Sequence, residues 1–295
     1  MNLFESILMG IIQGVTEFLP VSSSGHLAIF KNLFGLQEVG LLFDVLLHVG
    51  TLVAVCIAFY KDILELIING FGIVVDACKN IGYFFINMIK KNQKEFKKKD
   101  YLKVISTPYR RFAMLVIVTT IPTGIMGILF DDIIEAASTA LIIPGICLLI
   151  TGTLLLIADN TPDGKKNENT VSYKNAAVVG VCQGIATLPC ISRSGTTIVA
   201  CLVSKMVRKF AVKYSFIMSI PVILGAAVLQ VKDVTTESIS GGEILNYIIG
   251  MIVAAVVGYI CIKTMLKVVR NKKFFGFSVY CYIVGAIAIF SYFLK

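Results

Sequence analysis

The chain has 295 residues, of which 57% are hydrophobic and 15% are charged, and its mean hydropathy is +0.85. An average soluble domain carries about 25% charged residues, so this composition, with several apolar runs of about 20 residues, excludes a soluble globular protein. The net charge of +9 would suggest a nucleic-acid partner for a soluble protein. In a membrane protein it reports Lys and Arg in cytoplasmic loops, and we expect no nucleic acid.

The chain begins with two short apolar pieces, at about 3–19 and 27–36, which are separated by Pro20 and a run of serines. A transmembrane helix needs about 20 residues, so neither piece crosses a bilayer alone, and a re-entrant helical hairpin is predicted. The first full span is predicted at 41–60. The mixed segment 61–107 is interpreted as an extension of that span plus an interfacial amphipathic helix.

Five further spans are predicted, at about 111–130, 138–158, 211–231, 244–264 and 275–294, and a second broken apolar segment lies at 174–205. The predicted fold class is therefore an all-α integral membrane protein with six transmembrane helices plus two re-entrant helical hairpins. Each half, about 1–158 and 174–295, holds one hairpin followed by three spans. An odd number of crossings turns the second half upside down, which predicts a single membrane domain made of two inverted repeats.

The distribution of Lys and Arg predicts the orientation. Twenty-three of them lie in the segments 61–111, 159–174, 205–213 and 263–273, and three, Lys31, Lys232 and Lys295, lie on the opposite side. The positive-inside rule places the larger group in the cytoplasm. Both termini and the first hairpin then face outward, and the second hairpin enters from the cytoplasm.

The two hairpin segments are related in sequence. GIIQGVTEFLPVSSSGH (10–26) aligns without a gap with GVCQGIATLPCISRSGT (180–196) after a shift of 170 residues. Each copy places a polar, serine-rich turn beside a Pro in an otherwise apolar chain. Polar groups without water are costly unless they are paired or bind a ligand, so the two copies are predicted to be the halves of one site.

The first copy supplies an acid and a histidine. Gln13 and Glu17 are four residues apart and share one face of a helix, and a carboxylate at this depth indicates function. The alternative is that Glu17 caps or pairs with an outward-facing loop. His26, which follows the serine turn 22–25, is interpreted as functional, whereas the other histidine, His48, is interpreted as structural.

The second copy supplies positive charge, because Arg193 replaces Ser23 at the centre of the turn. A guanidinium fork, hydroxyl groups and the backbone N–H groups of a turn that leads into a helix are typical of an oxyanion receptor. The flanking residues are Ser192, Ser194, Gly195, Thr196 and Thr197. The alternative for Arg193 is a structural ion pair with Glu17. Together the two copies suit a phosphate ester or anhydride.

These residues resemble the undecaprenyl-diphosphate phosphatase family, the bacitracin-resistance type of integral membrane phosphatase. The family signatures (E/Q)GxTEFLPVSSxGH and PGxSRSGxT are matched by QGVTEFLPVSSSGH (13–26) and PCISRSGTT (189–197). FDVLLHVGTL (43–52) and SFIMSIP (215–221) extend the resemblance over essentially the whole chain. Two positions depart from the pattern: Gln13 stands where many members have Glu, and Cys190 replaces the Gly after Pro.

The resemblance implies hydrolysis of a C55 prenyl diphosphate to the monophosphate and inorganic phosphate, on the outward face of a bacterial plasma membrane. This reaction recycles the lipid carrier for peptidoglycan and gives bacitracin resistance. The implied cofactor is a divalent cation, Mg²⁺ or alternatively Ca²⁺. The implied partners are the polyprenyl diphosphate substrate and membrane lipid, and a homo-oligomer is compatible with the sequence.

By the same resemblance, the catalytic candidates are Glu17, Ser23 as nucleophile or water-positioning group, His26 for proton transfer, and Arg193 for charge stabilisation. The candidates for diphosphate binding are Ser22, Ser24, Ser192, Arg193, Ser194, Gly195 and Thr197. The candidate metal ligands are Glu17 and Gln13.

Two other functions remain open. Inverted repeats with broken helices are typical of transporters, so a prenyl-phosphate transporter or flippase is one alternative; it would move lipid without releasing phosphate. The other is an intramembrane serine hydrolase that uses Ser24 and His26. It is disfavoured because near neighbours in sequence rarely form a nucleophile–base pair and because it leaves Arg193 unexplained.

Overall fold

The computed structural model describes residues 1–36, 41–90, 97–130, 142–234, 241–270 and 274–293. These residues form eleven α-helices and no β-sheet. In chain order the helices are α1 (Leu3–Phe18), α2 (Ser23–Phe34), α3 (Leu41–Ala58), α4 (Tyr60–Ile89), α5 (Pro108–Leu129), α6 (Ile143–Asn160), α7 (Tyr173–Ile185), α8 (Arg193–Val203), α9 (Arg208–Val234), α10 (Gly241–Arg270) and α11 (Phe275–Phe293).

Six of the described helices, α3, α5, α6, α9, α10 and α11, are long and apolar enough to cross a membrane. This confirms the prediction of six spans in a multi-pass membrane protein, although residues 138–141 of the predicted third span lie outside the described part. The helices around the serine turns are shorter, with 16 residues in α1, 12 in α2, 13 in α7 and 11 in α8.

The segment after the first span differs from the predicted extension of that span. The chain leaves α3 at Ala58, turns at Phe59 and begins the separate 30-residue helix α4, in which only Asn87 is buried. Residues 97–107 run back along α4, and Asn80 exchanges two hydrogen bonds, of 2.8 and 2.7 Å, with the backbone of Leu102. Asn87 does the same with Lys99, at 2.9 and 2.8 Å. Residues 97–107 are thus fixed along the side of α4 that carries Asn80 and Asn87.

Helix α1 packs along α10 in the same direction. A methyl group on Gly10 would lie 2.5 Å from the carbonyl oxygen of Gly250, and one on Gly14 would lie 2.8 Å from Cβ of Val257. Contacts this close leave no room for a side chain. The two glycines therefore allow the backbones of α1 and α10 to approach each other.

Helix α7 packs along α5 in the equivalent way. A methyl group on Gly180 would meet the carbonyl oxygen of Thr119, and one on Gly184 would lie 2.6 Å from Sδ of Met126. The contacted residues are seven apart in α5, as Gly250 and Val257 are in α10. The related glycines of the two hairpins therefore make related contacts.

The interior of the bundle is built mainly on α9. Tyr214 is fully buried and donates a hydrogen bond of 2.9 Å to the backbone carbonyl of Leu115 in α5. Phe216 packs against Phe59 at the end of α3 and edge-on against Phe18 at the end of α1. Helix α9 thus packs against the end of α1 and against the spans α3 and α5, and it forms part of the wall of the site.

Candidate active site

The two serine-rich turns meet inside the bundle. The backbone N–H of Cys190 donates a hydrogen bond of 3.0 Å to Oγ of Ser24. A methyl group on Gly195 would lie 3.3 Å from Cβ of Pro20. The two sequence copies, 170 residues apart, therefore lie in direct contact.

Each turn ends in a capped helix whose first residues face the same space. Ser22 caps α2 and its Oγ accepts from the N–H of Gly25 at 3.2 Å, while Ser192 caps α8 and accepts from the N–H of Gly195 at 3.1 Å. Helix α2 begins at Ser23, earlier than the apolar pattern predicts, because the serine cap and not hydrophobicity decides where the helix starts. Two helix N-termini, each with a positive dipole end, thus lie beside the contact between the turns.

A cavity of about 340 Å³, here called the main cavity, lies between the two turns. Its wall is formed by the segments around the two serine turns, by α3 and by α9. The polar residues on the wall include Glu17, Ser22, Ser23, Ser24, His48, Ser192, Arg193 and Ser194, and the residues from α9 are Val222, Ile223, Ala226, Ala227 and Gln230.

Glu17 is the centre of the polar wall and is only 6% exposed. Its Oε2 accepts hydrogen bonds from Gln13 at 3.1 Å and from Oγ of Ser23 at 2.6 Å, and its Oε1 accepts from Nη2 of Arg193. The ion pair between Arg193 and Glu17, which is the alternative interpretation of Arg193, is therefore present in the structure. The Arg193 side chain is nevertheless 19% exposed and lies on the cavity wall, so an anion in the cavity can reach it.

The two histidines differ in their position relative to the main cavity. His26 is buried at 3% exposure and is held by the backbone carbonyl of Ser22 at 2.8 Å and by the hydroxyl of Tyr280 at 2.7 Å, and it is absent from the wall of the main cavity. His48 lies on that wall, with Nδ1 3.1 Å from Nε2 of Gln13 and 3.7 Å from Oε2 of Glu17.

The position of His48 is the feature that motif reasoning missed. A signal for it is present in α3, where Asp44, His48 and Thr51 are spaced by four and three residues in an otherwise apolar helix. That spacing places them on one helix face. A polar stripe in a membrane span faces the protein interior or a polar cavity, and this stripe leads to Glu17.

The remaining predicted phosphate ligands divide into two groups. Ser22, Ser24, Ser192 and Ser194 line the main cavity. Thr197 lies one turn behind it, with its hydroxyl 2.8 Å from the carbonyl of Arg193 and 2.6 Å from Oγ of Ser215. Gly195 contributes its N–H to the Ser192 cap. These last two residues hold the start of α8 in place and do not line the main cavity.

The donor set limits how a cation could be held. Within the described ranges no cluster of three or more His, Cys, Asp or Glu side chains has the arrangement of a metal site. Glu17 is the carboxylate on the wall of the main cavity. Gln13 directs its NH₂ group toward Glu17, so in this arrangement it acts as a donor to the carboxylate. One carboxylate together with phosphate oxygens is a usual environment for Mg²⁺, and the wall fits that mode.

Comparison with known proteins identifies the family of the chain. The model of the family described as "Bacitracin resistance protein BacA" matches residues 6–287. The chain belongs to this family. Relatives named "Undecaprenyl-diphosphatase" include one from Methanosphaera stadtmanae, 39% identical over 98% of both chains, and one from Desulforapulum autotrophicum, 39% identical over 100% of both. One named "Undecaprenyl-diphosphatase 4", from Bacillus thuringiensis, is 37% identical over 98% of this chain and 97% of its own.

The structure gives a physical reason for the Gly in the second BacA-family signature. Cys190, which stands at that position, has a φ of +67°, in the left-handed region that favours glycine. The turn needs this conformation because the N–H of Cys190 must reach Ser24 on the other hairpin. Cys190 therefore keeps the contact between the two turns, but it adopts a backbone conformation that is less favourable for cysteine than for glycine.

Proposed function

We propose that the chain hydrolyses undecaprenyl diphosphate to undecaprenyl phosphate and inorganic phosphate, and so recycles a lipid carrier of cell-wall synthesis. The observation that carries this proposal is the main cavity, in which Arg193 and two helix N-termini converge beside Glu17 and Ser23. Such a convergence of donors binds phosphoryl oxygens. Relatives that are similar over their full length are named for this activity, and the family's name connects it with bacitracin resistance.

The geometry supports a division of roles around the phosphoryl group. When the diphosphate enters, Arg193 exchanges its contact with Glu17 for contacts with phosphate oxygens, while the N–H groups at the starts of α2 and α8 bind the same oxygens. Ser23, whose hydroxyl donates to Glu17 at 2.6 Å, is then placed for in-line attack or for holding the attacking water. Glu17 takes the proton of the attacking oxygen. The bond from the terminal phosphorus to the bridging oxygen breaks, and undecaprenyl phosphate leaves. Attack by water gives inorganic phosphate directly, whereas attack by Ser23 gives a phosphoserine that a water molecule then hydrolyses to inorganic phosphate and free serine.

The wall of the main cavity also suits a divalent cation, for which we propose Mg²⁺. Glu17 and the diphosphate oxygens would hold it, and when bound it would neutralise part of the charge on the phosphoryl group. Arg193 would then be free to contact the remaining oxygens. Added EDTA should slow phosphate release, and Mg²⁺ should restore it.

We also propose that the fold consists of two inverted repeats that each begin with a re-entrant hairpin. The support comes from helix directions. Phe43 packs on Tyr247 and Ala54 lies beside Gly258, so α3 and α10 run in the same direction. Phe112 packs on Phe210 and Thr119 contacts Tyr214, so α5 and α9 also run in the same direction. Phe59 at the end of α3 meets Phe216 in the first half of α9, so α3 and α9 are antiparallel.

It follows that α10 and α5 are antiparallel to each other. Helix α1 runs with α10 and α7 runs with α5, so the two hairpins would enter from opposite faces and meet at their turns. Two contacts between helix ends support these directions. The amine of Met1, before α1, pairs with Glu243 near the start of α10 at 3.2 Å. Asp159, near the end of α6, accepts a hydrogen bond of 2.9 Å from the N–H of Phe274, just before α11. With the positive-inside rule, both termini and the open side of the site face outward.

The test is phosphate release by purified protein in detergent with undecaprenyl diphosphate and Mg²⁺. Wild-type protein should release one phosphate per lipid, and Arg193→Ala should lose more than about 100-fold in kcat/KM, the usual cost of removing a transition-state charge contact. No release by the wild-type protein from any prenyl diphosphate would refute the proposal. Lipid movement across vesicles without phosphate release would favour the transporter alternative.

A further inference from the structure

The hydrogen bonds around Gln13 determine which nitrogen of His48 carries a proton. An ionised carboxylate only accepts hydrogen bonds, so the Gln13 atom that lies 3.1 Å from Oε2 of Glu17 must belong to its NH₂ group. The same Nε2 lies 3.1 Å from Nδ1 of His48. Since the NH₂ group can only donate, Nδ1 of His48 is the acceptor of this contact, which assigns the ring proton to Nε2.

The protonated nitrogen of His48 is directed away from its buried neighbours. Nδ1 faces Gln13 and Glu17, whose side chains are almost entirely buried. The imidazole is 35% exposed and forms part of the wall of the main cavity. Its accessible edge is therefore the opposite one, which carries Nε2. Within the described part of the chain Nε2 makes no hydrogen bond.

His26 is held in the other tautomer. The carbonyl oxygen of Ser22 can only accept, so the proton of the His26 ring is on Nδ1, at 2.8 Å from that oxygen. Nε2 of the neutral ring then accepts from the hydroxyl of Tyr280 at 2.7 Å. Both nitrogens of His26 have partners in the protein, so His26 has none to offer a ligand.

We propose that His48 is a substrate-contacting residue of this site: Nε2–H donates a hydrogen bond to a non-bridging oxygen of the bound diphosphate, and Gln13 holds the imidazole in the donor tautomer. This inference rests on the proposed function and assigns the histidine of the site to position 48. The hydroxyl of Ser23, the guanidinium of Arg193 and the imidazole of His48 then approach the phosphoryl group from three different helices.

Two near-isosteric substitutions separate the two sides of the ring. His48→Gln can place an amide N–H where Nε2 lies but does not reproduce Nδ1. His48→Asn can place an oxygen where Nδ1 lies, and so keeps the contact with Gln13, but loses the donor toward the cavity. A hydrogen bond to a charged oxygen contributes about 10- to 100-fold. His48→Asn should lose this amount in affinity for inorganic diphosphate and in kcat/KM, whereas His48→Gln should retain most of both.

Binding of inorganic diphosphate by calorimetry is the decisive measurement, because it does not depend on turnover. Thermal unfolding of both variants provides the control for folding. If His48→Asn binds as tightly as wild type while His48→Gln is impaired, the ring acts only through Gln13 and the proposal is overturned. If the wild-type protein releases phosphate and His48→Asn changes neither diphosphate affinity nor kcat/KM, the proposed function stands and this inference is refuted. If the wild-type protein releases no phosphate but binds inorganic diphosphate, and His48→Asn weakens that binding, the inference about His48 stands and the proposed function is refuted.

The tautomers give a second, independent test. The chain has two histidines, so ¹⁵N-histidine spectra contain two imidazoles, which His26→Gln assigns. We expect an Nε2–H tautomer for His48 and an Nδ1–H tautomer for His26. Inorganic diphosphate should shift the Nε2 resonance of His48 more than either nitrogen of His26. An Nδ1–H tautomer for His48 in the wild-type protein would overturn the proposal.

Discussion

Replacing Arg193 should separate its electrostatic role in the fold from its role in the reaction. In Arg193→Met the carboxylate of Glu17, 6% exposed, keeps only the hydrogen bonds from Gln13 and Ser23. Breaking a buried ion pair by removing one partner costs about 3–5 kcal/mol. Two donors remain and the main cavity admits water, so we expect a loss of about 2–3 kcal/mol in the free energy of unfolding.

The double variant is the control for this reasoning. Glu17→Gln removes the charge that Arg193→Met leaves uncompensated, so the pair of substitutions should recover about 2 kcal/mol relative to the sum of the single effects. Activity should not recover. The phosphoryl group still lacks its cationic partner, and both single variants and the double variant should stay more than about 100-fold below wild type.

Chemical denaturation in detergent micelles measures the first quantity, and phosphate release from a prenyl diphosphate measures the second. A coupling energy below about 0.5 kcal/mol would show that the pair does not compensate charge in the folded protein. Activity of Arg193→Met within tenfold of wild type would remove the guanidinium from the transition state.

Three further substitutions test the close approach of helices, the strained turn and the departure at the first signature. Gly14→Ala should lower stability by about 1–3 kcal/mol because its methyl group would lie 2.8 Å from Cβ of Val257, whereas Gly124→Ala, with open space around it, should be neutral or stabilising in the same unfolding assay. Cys190→Gly should be more stable than Cys190→Ala by about 1 kcal/mol in thermal unfolding, the reverse of the usual order, because φ is +67°. Gln13→Glu should unfold at a lower temperature without Mg²⁺ and gain more from added Mg²⁺ than wild type, because a second carboxylate would face Glu17 at about 3 Å; equal Mg²⁺ responses would place the cation elsewhere.

The spans and the broken helices follow from length and hydropathy, which are local properties of the chain. Six predicted spans are six long apolar helices, and four short helices flank the two serine turns. Helix starts are less predictable, because they depend on hydrogen bonds rather than on apolar periodicity. Ser22 and Ser192 begin α2 and α8 through their side-chain oxygens. The separation of α4 from α3 likewise depends on one backbone conformation at Phe59.

Side-chain direction was the part of the site that the motifs could not supply. Glu17, Ser23 and Arg193 are brought together as the duplicated segments predict. His26 belongs to the same motif, but the first turn of α2 directs its ring toward Tyr280 in α11, 254 residues away. Motif membership fixes only where a residue lies in the chain. Which face of a helix meets the cavity depends on packing between distant elements, and this brings in His48 from α3 instead.

The duplication repeats the backbone of the two serine turns but not their side-chain chemistry. Both copies have a serine cap, a glycine three residues later and a helix start at the main cavity. Position 23 is a serine and position 193 an arginine, and Glu17 has Thr187 as its counterpart. Two arginines would leave excess charge in an apolar bundle, and two glutamates would repel both each other and the substrate. The carboxylate of the first half and the guanidinium of the second half neutralise each other as an ion pair, and in the proposed reaction the diphosphate takes over the guanidinium. Neither half alone has a compensated charge, so the two halves are needed together for both the fold and the reaction.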